Sequence, residues 1–404
     1  MAAAGTGAPM TDAQAERLLQ ASEALFAAHF GGTTALRVWS PGRVNLIGEH
    51  IDYCGGTVLP MTIDRGIAIV LRANNSGRVR VVSGNAPEAI DVSVQVTAVD
   101  ALLPEWGRYV VGVIALLADV GVYLHGADIA LQGNLPTGGL SSSAALCVGL
   151  ATGLQALTGV HLHGGRPALA RLCQQVEHQY AGVRCGIMDQ AVIALSEVDC
   201  ALALRCADLT FVHVPAPTGA VSMLVMDSGK PRRLADAPYN ARQQQVRAAE
   251  AVLRERYGAQ QACDLEEGRL AEALTLFDPE TGRRVRHVVT EQRRVLTAMR
   301  ALREGDWHAF GAAMTASHAS LKDDFDVSCA ELDCLVDNAN EADGVFGARL
   351  TGAGFGGAAI ALVETAALAS ARSHIATAFL ARFGRQPALL EVRPGGCARV
   401  LAPA

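Results

Sequence analysis

The sequence predicts a two-domain protein that mixes helices and strands, and three features of the chain support this fold class. The chain has 404 residues, of which 50% are hydrophobic, which is more than one ordinary domain needs and enough for a large core. Short runs rich in Val and Ile, bounded by turn residues, predict strands. A dense helical stretch after residue 239 separates an early group of strands from a late one, so we place the domain boundary after residue 215.

The apolar pattern predicts the elements in order. The first part contains a helix at 11–30, strands at 36–39, 67–71, 78–82 and 92–96, a helix at 109–120, a strand at 127–132, helices at 144–157 and 167–181, and strands at 200–205 and 221–226. The second part is helical from 239 to 300 and then, from residue 344, contains a strand, a glycine loop, a strand at 358–363 and a helix at 365–383. The apolar run at 109–124 is interrupted by Asp119 and is short for a membrane span, so we interpret it as a buried helix.

The overall charge excludes some classes of partner. A formal net charge of −6 and a pI near 6.0 give no general attraction to nucleic acid or to anionic membranes, so we expect small-molecule substrates. The first 20 residues have no signal-peptide pattern. The ten cysteines form no CxxC pair or zinc-type spacing, which favours reduced core thiols and a cytoplasmic protein. We expect a monomer or a weak oligomer.

The first polar segment runs from Pro41 to Gly56. It concentrates four ionisable side chains, those of Arg43, Glu49, His50 and Asp52, between glycines and apolar strands. Burial of such groups is costly unless they pair or meet a polar ligand, and together they could hold several hydroxyl groups of a sugar. A solvated loop with a local Arg–carboxylate pair is an equal alternative on composition alone.

The second polar segment is the serine loop, residues 135–146 (Leu-Pro-Thr-Gly-Gly-Leu-Ser-Ser-Ser-Ala-Ala-Leu). A strand enters it and an apolar helix leaves it, so backbone N–H groups at the helix start could hold phosphate, and serine hydroxyls could contact phosphate or Mg²⁺. It lacks the Gly-Lys-Ser/Thr ending of a P-loop. A serine-capped core helix explains the same residues equally well.

The third polar segment is the glycine loop, residues 349–357 (Arg-Leu-Thr-Gly-Ala-Gly-Phe-Gly-Gly). It matches G-x-G-x-x-G, but a strand pattern follows where a Rossmann fold requires a helix. We therefore reject a dinucleotide site and expect the glycines to allow close approach of the backbone.

One further carboxylate lies in an apolar setting. Asp189 is flanked by Ile187-Met188 and Ala191-Val192-Ile193. A carboxylate among apolar residues suggests a functional role, such as accepting a hydroxyl proton. The alternative is a helix N-cap for the run at 190–195.

In this order, the segments resemble the GHMP kinase superfamily and, within it, the galactokinases. The family-specific part is G-R-V-N-L-I-G-E-H followed by x-D-Y-x-G-G at residues 42–56, whereas the serine and glycine loops resemble motifs shared across the superfamily. Residues 317–325 are also similar to a galactokinase stretch, and the resemblance covers residues 39–362. It implies a two-domain α+β GHMP fold. An N-terminal domain (1–215) would resemble the second domain of ribosomal protein S5, a C-terminal domain (216–404) would be ferredoxin-like, and the active site would lie between them.

The resemblance also implies an activity and a role for each site residue. The enzyme would transfer the terminal phosphoryl group of ATP, with Mg²⁺, to the C1 hydroxyl of galactose. Asp189 would accept the hydroxyl proton, and Arg43 would stabilise the transferring group and help keep Asp189 ionised. The implied sugar-binding set is Glu49, His50, Ile51, Asp52 and Tyr239. The implied ATP-binding set is Thr137, Gly138, Gly139, Leu140, Ser141, Ser142 and Ser143. Ser143 and Glu177 would hold Mg²⁺.

Two departures from the family pattern concern the sugar. Ile51 and Cys54 stand where the family usually has Thr and Asn, so a sister kinase acting on N-acetylgalactosamine, arabinose or a uronic acid is the main alternative. A non-catalytic sugar sensor is a further alternative. The unbroken serine loop and the presence of Asp189 argue against it.

Overall fold

The computed structural model describes residues 12–136, 138–230 and 237–401. Thr137, one of the predicted ATP-binding residues, lies outside these ranges. The strands are β1 (Leu36–Asn45), β2 (Thr57–Val58), β3 (Pro60–Ala73), β4 (Arg78–Ser83), β5 (Ala86–Ser93), β6 (Ala127–Gly133), β7 (Cys200–Arg205), β8 (Thr210–Pro215), β9 (Val221–Asp227), β10 (Val345–Thr351), β11 (Ala358–Glu364), β12 (Ala388–Val392) and β13 (Arg399–Leu401). The helices are α1 (Asp12–Phe30), α2 (Gly107–Asp119), α3 (Ser142–Thr158), α4 (Gly165–Val176), α5 (Met188–Leu195), α6 (Ala237–Tyr257), α7 (Glu267–Leu274), α8 (Pro279–Glu304), α9 (Trp307–Asp323), α10 (Ala330–Glu341) and α11 (Leu368–Phe383).

The first sheet carries the predicted sugar and phosphate segments. Its strand order is β13-β1-β3-β6-β4-β5, and only the β4–β6 pairing is parallel. Helix α1 covers one face, where Leu19 and Phe26 pack against Trp39 and Val70. Helix α3 covers the other face, and the Ser40 hydroxyl of β1 donates to a carbonyl of α3 at 2.6 Å. Because both faces are covered, nearly all of β1 is buried.

The second sheet has the ferredoxin-like arrangement that the resemblance implies. Its order is β10-β11-β9-β12 with antiparallel pairing throughout, and helices separate β9 from β10 and β11 from β12. This is the split β-α-β topology. The glycine loop joins β10 directly to β11, so the rejection of a Rossmann site is confirmed. A small sheet, β2-β7-β8, packs beside the first.

The sheets bear on the domain boundary without deciding it. The four-stranded sheet begins with β9 at residue 221, six residues after the predicted division at 215, but β13 returns to pair with β1 in the first sheet. The division into 1–215 and 216–404 therefore stays a prediction. Among the described residues, no helix is both long enough and apolar enough to cross a bilayer, and α2 is largely buried, as expected.

Candidate active site

A cavity of about 370 Å³ lies where the three polar segments meet. Its lining comes from the first polar segment, the serine loop, residues 183–189 and the start of the glycine loop. The predicted site residues that line it are Arg43, Glu49, His50, Asp52, Gly138, Gly139, Ser141, Ser142, Ser143, Glu177, Asp189 and Tyr239. Segments far apart in sequence thus form one site with room for a small substrate.

Arg43 and Asp189 form a bidentate ion pair in this cavity. The Nε and Nη2 atoms of Arg43 each donate to a carboxylate oxygen of Asp189 at 2.7 Å. Its Nη1 atom donates to the Gly139 carbonyl at 2.6 Å. A register shift between Pro41 and Arg43 interrupts the β1–β3 pairing, and such a bulge redirects a side chain. Arg43 therefore connects the carboxylate to the serine loop.

The helix-cap interpretation of Asp189 is wrong. Helix α5 begins one residue earlier, at Met188, with Ile187 as its N-cap. The Asp189 carboxylate instead accepts from Arg43 and from the Ser141 hydroxyl. Both partners are polar groups that face the cavity.

Ser141 has a left-handed backbone (φ 60°) at the N-cap position of α3, yet its side chain makes no capping hydrogen bond. Its hydroxyl donates to Asp189, so the capping alternative does not explain this serine. The two glycine-rich loops also approach closely, since a Cβ at Gly138 would lie 3.1 Å from the Cα of Gly357. The predicted role of these glycines, close backbone approach, fits this geometry.

Glu49 is buried and bound entirely by protein donors in this structure. It accepts from Arg349 Nη1 at 2.7 Å and from the Gly352 N–H at 2.6 Å. It also accepts from the Asn45 side chain. Burial raises the pKa of Glu49, and the neighbouring Arg349 opposes that rise. The first polar segment is therefore a buried network, and the solvated-loop alternative is wrong.

His50 belongs to an aromatic group beside the cavity. Its ring lies 4.7 Å from that of Phe325 and 5.7 Å from that of Tyr239, measured between centroids. Its Nδ1 atom is 2.9 Å from the Tyr53 hydroxyl, and its Nε2 atom is 3.1 Å from the Ala353 carbonyl. These contacts fix the ring and account for the left-handed backbone (φ 63°) of His50.

Asp52 approaches the backbone that precedes Asp189. A Cβ at Gly186 would lie only 1.9 Å from Oδ2 of Asp52, so a larger residue at this position would displace the Asp52 side chain. Burial raises the pKa of Asp52 to about 7, and the charge of Asp189 adds to the effect. Asp52 is thus a polar group with its proton equilibrium near neutral pH, held against the cavity.

Glu177 and Ser143 form the predicted metal pair. Glu177 begins a single π-helical turn after α4, a local distortion that is frequent at functional sites. Its carboxylate accepts from the Ser143 hydroxyl at 3.2 Å and from Gln190 Nε2 at 3.0 Å. Burial raises its pKa to about 7, and the charge of Asp189 contributes. Among the described residues no group of three or more His, Cys, Asp or Glu could hold a metal. This hydroxyl–carboxylate pair fits Mg²⁺, which uses few protein ligands together with substrate phosphates.

A second, larger cavity of about 1510 Å³ adjoins the serine loop. Ser142 and Ser143 line both cavities, so the two meet at the start of α3. The second cavity is lined by the aromatic side chains of Trp106 and Tyr109 and, from α11, by Arg372. Sequence reasoning missed these residues. The apolar segment that starts at Tyr109 was interpreted only as a buried helix.

Two of the predicted site residues have buried side chains. Ile51 is fully buried and does not line either cavity; its side chain packs where a Cβ on Gly56 would clash. Leu140 is 2% exposed and also lies in the core, and its carbonyl accepts from the Arg43 backbone N–H at 3.2 Å. Both side chains complete the apolar packing beneath their loops.

Comparisons with known proteins agree with this geometry. The models for the N-terminal and C-terminal domains of GHMP kinases match residues 108–197 and 298–381. The model for the galactokinase galactose-binding signature matches residues 24–73. The fold and the site thus define a GHMP kinase, which uses ATP as its phosphoryl donor, and the predicted fold class is confirmed.

The relatives narrow the class to one family. A galactokinase from a Roseiflexus species is 39% identical over 379 residues, which are 93% of this chain and 96% of the relative. The galactokinase of Homo sapiens is 37% identical over 375 residues, 91% of this chain and 94% of the relative. The crystal structure of Lactococcus lactis galactokinase complexed with galactose superposes with a TM-score of 0.91 at 35% identity, covering 95% of this chain and all of that one. The chain belongs to the galactokinase family.

Proposed function

We propose that this kinase transfers the γ-phosphoryl group of ATP to the C1 hydroxyl of galactose, giving galactose 1-phosphate and ADP. The observation that carries the proposal is the bidentate contact between Arg43 and Asp189 beside the serine loop. This carboxylate and this cation lie in the lining of the smaller cavity, which meets the larger one at Ser142 and Ser143. Phosphoryl transfer requires this kind of positioning and charge neutralisation.

Asp189 is the proposed proton acceptor. Its carboxylate lines the smaller cavity, and its side chain is 27% exposed. A hydroxyl held there could pass its proton to this carboxylate as the O–P bond forms. Arg43 supplies a fixed positive charge within hydrogen-bonding distance of both Asp189 and the serine loop. Such a charge stabilises the negative charge that develops on the transferring group.

The serine loop and Glu177 are the proposed holders of the phosphates and of Mg²⁺. The start of α3 offers unpaired backbone N–H groups and the positive end of the helix dipole to an anion. Ser143 and Glu177 would bind Mg²⁺, which supplies charge neutralisation on the phosphate oxygens when it is bound. A bound cation would also favour the ionised form of the Glu177 carboxylate, whose pKa burial raises to about 7.

The larger cavity is the proposed site of the adenine ring. Trp106 and Tyr109 present aromatic surface beside the serine loop, and a stacked base gains stability from such surface. The smaller cavity, at about 370 Å³, has the size and polarity that suit a monosaccharide, with Glu49, His50, Asp52 and Tyr239 in its lining.

Galactose is the proposed sugar for two reasons. The galactose-binding signature of the family lies in residues 24–73, and the Lactococcus lactis relative, named as complexed with galactose, superposes over 95% of this chain. The unusual Ile51 does not argue for another sugar, since its side chain is buried away from the cavity.

The proposal includes a cytoplasmic location and small-molecule partners. All ten cysteines are free thiols, and half of them are buried, which supports the reducing conditions of the cytoplasm. The net charge of −6 supports small-molecule rather than nucleic-acid partners.

A panel of sugars in an ADP-release assay tests the substrate. Galactose should give the highest kcat/KM, and N-acetylgalactosamine, arabinose and galacturonic acid should each be poorer. Preference for another sugar would replace galactose but keep the kinase. No sugar-dependent ADP release, with galactose binding retained, would favour the sensor.

A further inference from the structure

Arg349 is a fully buried cation at the boundary of the sugar cavity. It lies on β10, has 0% exposure and does not line the cavity itself. Its Nη1 atom donates to Glu49 Oε2 at 2.7 Å and to the Asn45 carbonyl at 3.1 Å. Its Nη2 atom lies 3.9 Å from Glu291 Oε1. Burial of a guanidinium is costly unless ion pairs and hydrogen bonds offset the loss of hydration.

Through Glu49, Arg349 holds the two opposite walls of the cavity together. One wall is the first polar segment, which contributes Glu49 and His50, and the other is the start of the glycine loop, Gly352 and Ala353. Oε1 of Glu49 accepts from the Gly352 N–H at 2.6 Å, and His50 Nε2 reaches the Ala353 carbonyl at 3.1 Å. The carboxylate therefore bridges segments 303 residues apart, and Arg349 is its buried counter-ion.

A second carboxylate, that of Glu291, also binds the first polar segment. Glu291 on α8 accepts from the Gly48 N–H at 2.9 Å and from the Ser317 hydroxyl at 2.6 Å. Although burial opposes its ionisation, the charges of Arg294 and Arg349 and the hydrogen bond from Ser317 lower the pKa of Glu291 to about 2. Arg349 thus lies between two carboxyl groups, Glu49 and Glu291, that both form hydrogen bonds with the first polar segment.

We propose that Arg349 is a positioning residue of the sugar cavity, which acts by orienting the Glu49 carboxylate so that it joins the first polar segment to the glycine loop. This inference rests on the proposed function, since it assigns Arg349 to the sugar half of the site. Without the guanidinium, Glu49 would face Glu291 with no intervening cation, and it would bind a proton or turn away. Gly352 and Ala353 would then lose their fixed positions relative to His50, and sugar binding would weaken.

The guanidinium combines two hydrogen bonds from Nη1 with a longer charge contact from Nη2. One nitrogen of Arg349 serves both Glu49 and the Asn45 carbonyl, while the rest of the planar group points to Glu291. A lysine ammonium is a compact charge that cannot span these three acceptors. None of these residues lines the larger cavity, the proposed site of the adenine ring. Substitution of Arg349 should therefore change KM for the sugar and not KM for ATP.

A double-mutant cycle tests the proposal. R349K, R349Q, E49Q and R349K/E49Q are assayed for both KM values and kcat with whichever sugar the wild-type enzyme phosphorylates. Because the assay does not assume galactose, a preference for another sugar would refute the galactose assignment and still leave the role of Arg349 open to test. R349K and R349Q should each raise KM for the sugar about tenfold or more and leave KM for ATP within about twofold. R349K keeps the charge and R349Q keeps a planar donor, so the two variants disturb folding in different ways.

Non-additivity distinguishes positioning from general destabilisation. The double variant R349K/E49Q should have a KM for the sugar within about twofold of that of E49Q alone, since Arg349 acts through Glu49. R37K is the matched control, because Arg37 is also buried and paired with two glutamates, Glu16 and Glu23, away from the cavity. It should lower the thermal midpoint without changing either KM. Three results would each overturn the proposal. The first is a KM for the sugar in R349K/E49Q that rises by the product of the two single-variant effects. The others are an unchanged KM for the sugar in R349K, or equal rises in KM for the sugar and KM for ATP.

Discussion

Two nitrogens of Arg43 each lie 2.7 Å from an oxygen of Asp189, although the residues are 146 positions apart in the chain. The pair joins a strand of the first sheet to the first turn of α5. The same guanidinium holds the Gly139 carbonyl of the serine loop. One side chain therefore sets the position of the proposed proton acceptor relative to the proposed phosphate site.

The Arg43 fork should be essential for turnover. R43K keeps a positive charge but loses the bidentate contact and the bond to Gly139, so we expect kcat to fall about 10²–10³-fold. KM for the sugar should change much less, because the sugar-facing groups remain. Steady-state kinetics on R43K measures both quantities. R78K is the control, since Arg78 pairs with Asp91 at 2.6 Å on the surface and should leave kcat unchanged. A KM effect without a kcat effect would move Arg43 from the chemistry to binding.

Dependence on Mg²⁺ should change with pH through Glu177. Burial raises the pKa of this carboxyl to about 7, and a carboxyl must lose its proton to bind a cation. The Mg²⁺ concentration for half-maximal activity should therefore be about tenfold higher at pH 6 than at pH 8. E177Q should need more Mg²⁺ at every pH and should lose most of this slope.

The Glu177 prediction is measured by Mg²⁺ titrations of ADP release at pH 6, 7 and 8. E88Q serves as the control, because Glu88 is an exposed carboxylate on β5. It should titrate like the wild type. Equal slopes in wild type and E177Q would show that the pH dependence comes from ATP and that Glu177 is not a metal ligand.

Acid should destabilise the protein through His287. Its ring lies between the Ser320 hydroxyl and the Glu49 carbonyl, and burial lowers its pKa to about 4. Since the folded value lies below the usual 6.5, the neutral ring stabilises the fold above about pH 6.5, and this stabilisation is lost as the pH falls towards 4. The free energy of unfolding should drop by about 2–3 kcal/mol more in wild type than in H287Q between pH 7 and pH 4.5.

Urea unfolding of wild type and H287Q at each pH gives that difference directly. The buried carboxyls with raised pKa, such as Asp52, act with the opposite sign, because their stabilisation is lost as the pH rises through 7. They are present in both proteins and cancel in the comparison. H125Q, at an exposed histidine, should follow the wild-type curve. Parallel curves for wild type and H287Q would contradict the prediction.

The larger cavity should bind the base through Trp106. W106A removes an aromatic surface from the lining, so KM for ATP should rise about tenfold while KM for the sugar stays within about twofold. W307A is the matched control, since Trp307 begins α9 and lines neither cavity. It should affect stability only. An unchanged KM for ATP in W106A would place the base elsewhere.

The local pattern predicted several elements close to their observed bounds. Strand β7 has the predicted bounds, and α1, β4 and α2 begin within about two residues of their predicted starts. Strand β5 lies earlier than predicted, at Ala86–Ser93, and its burial alternates with mostly exposed positions. Strands β8, β12 and β13 were missed because they are short or exposed, and β12 and β13 are defined by pairing with the distant strands β9 and β1.

The site was predicted from the motif order, and its supporting residues were not. Glu291 and Arg349 lie on different elements, α8 and β10, and each becomes significant only when the fold brings it to the first polar segment. Nothing near Glu291 in a helix rich in Arg and Glu distinguishes it from a solvated charge. Arg349 is the first residue of the glycine loop, where a charge at the end of an apolar strand was the one available signal. Ile51 and Leu140 stand beside polar residues in their motifs, yet their apolar side chains face the core, which the motifs alone do not indicate.

Single-turnover measurement on D189N tests the central claim most directly. The claim is that Asp189, held by Arg43 beside the serine loop, accepts the proton as the sugar oxygen bonds to phosphorus. Mixing a galactose–enzyme complex with Mg-ATP should show transfer about 10²–10⁴-fold slower in D189N than in wild type. The dissociation constant for galactose should stay within about threefold of the wild-type value, and D91N, in the surface pair with Arg78, should react at the wild-type rate. Transfer by D189N at a rate close to that of wild type would contradict the account.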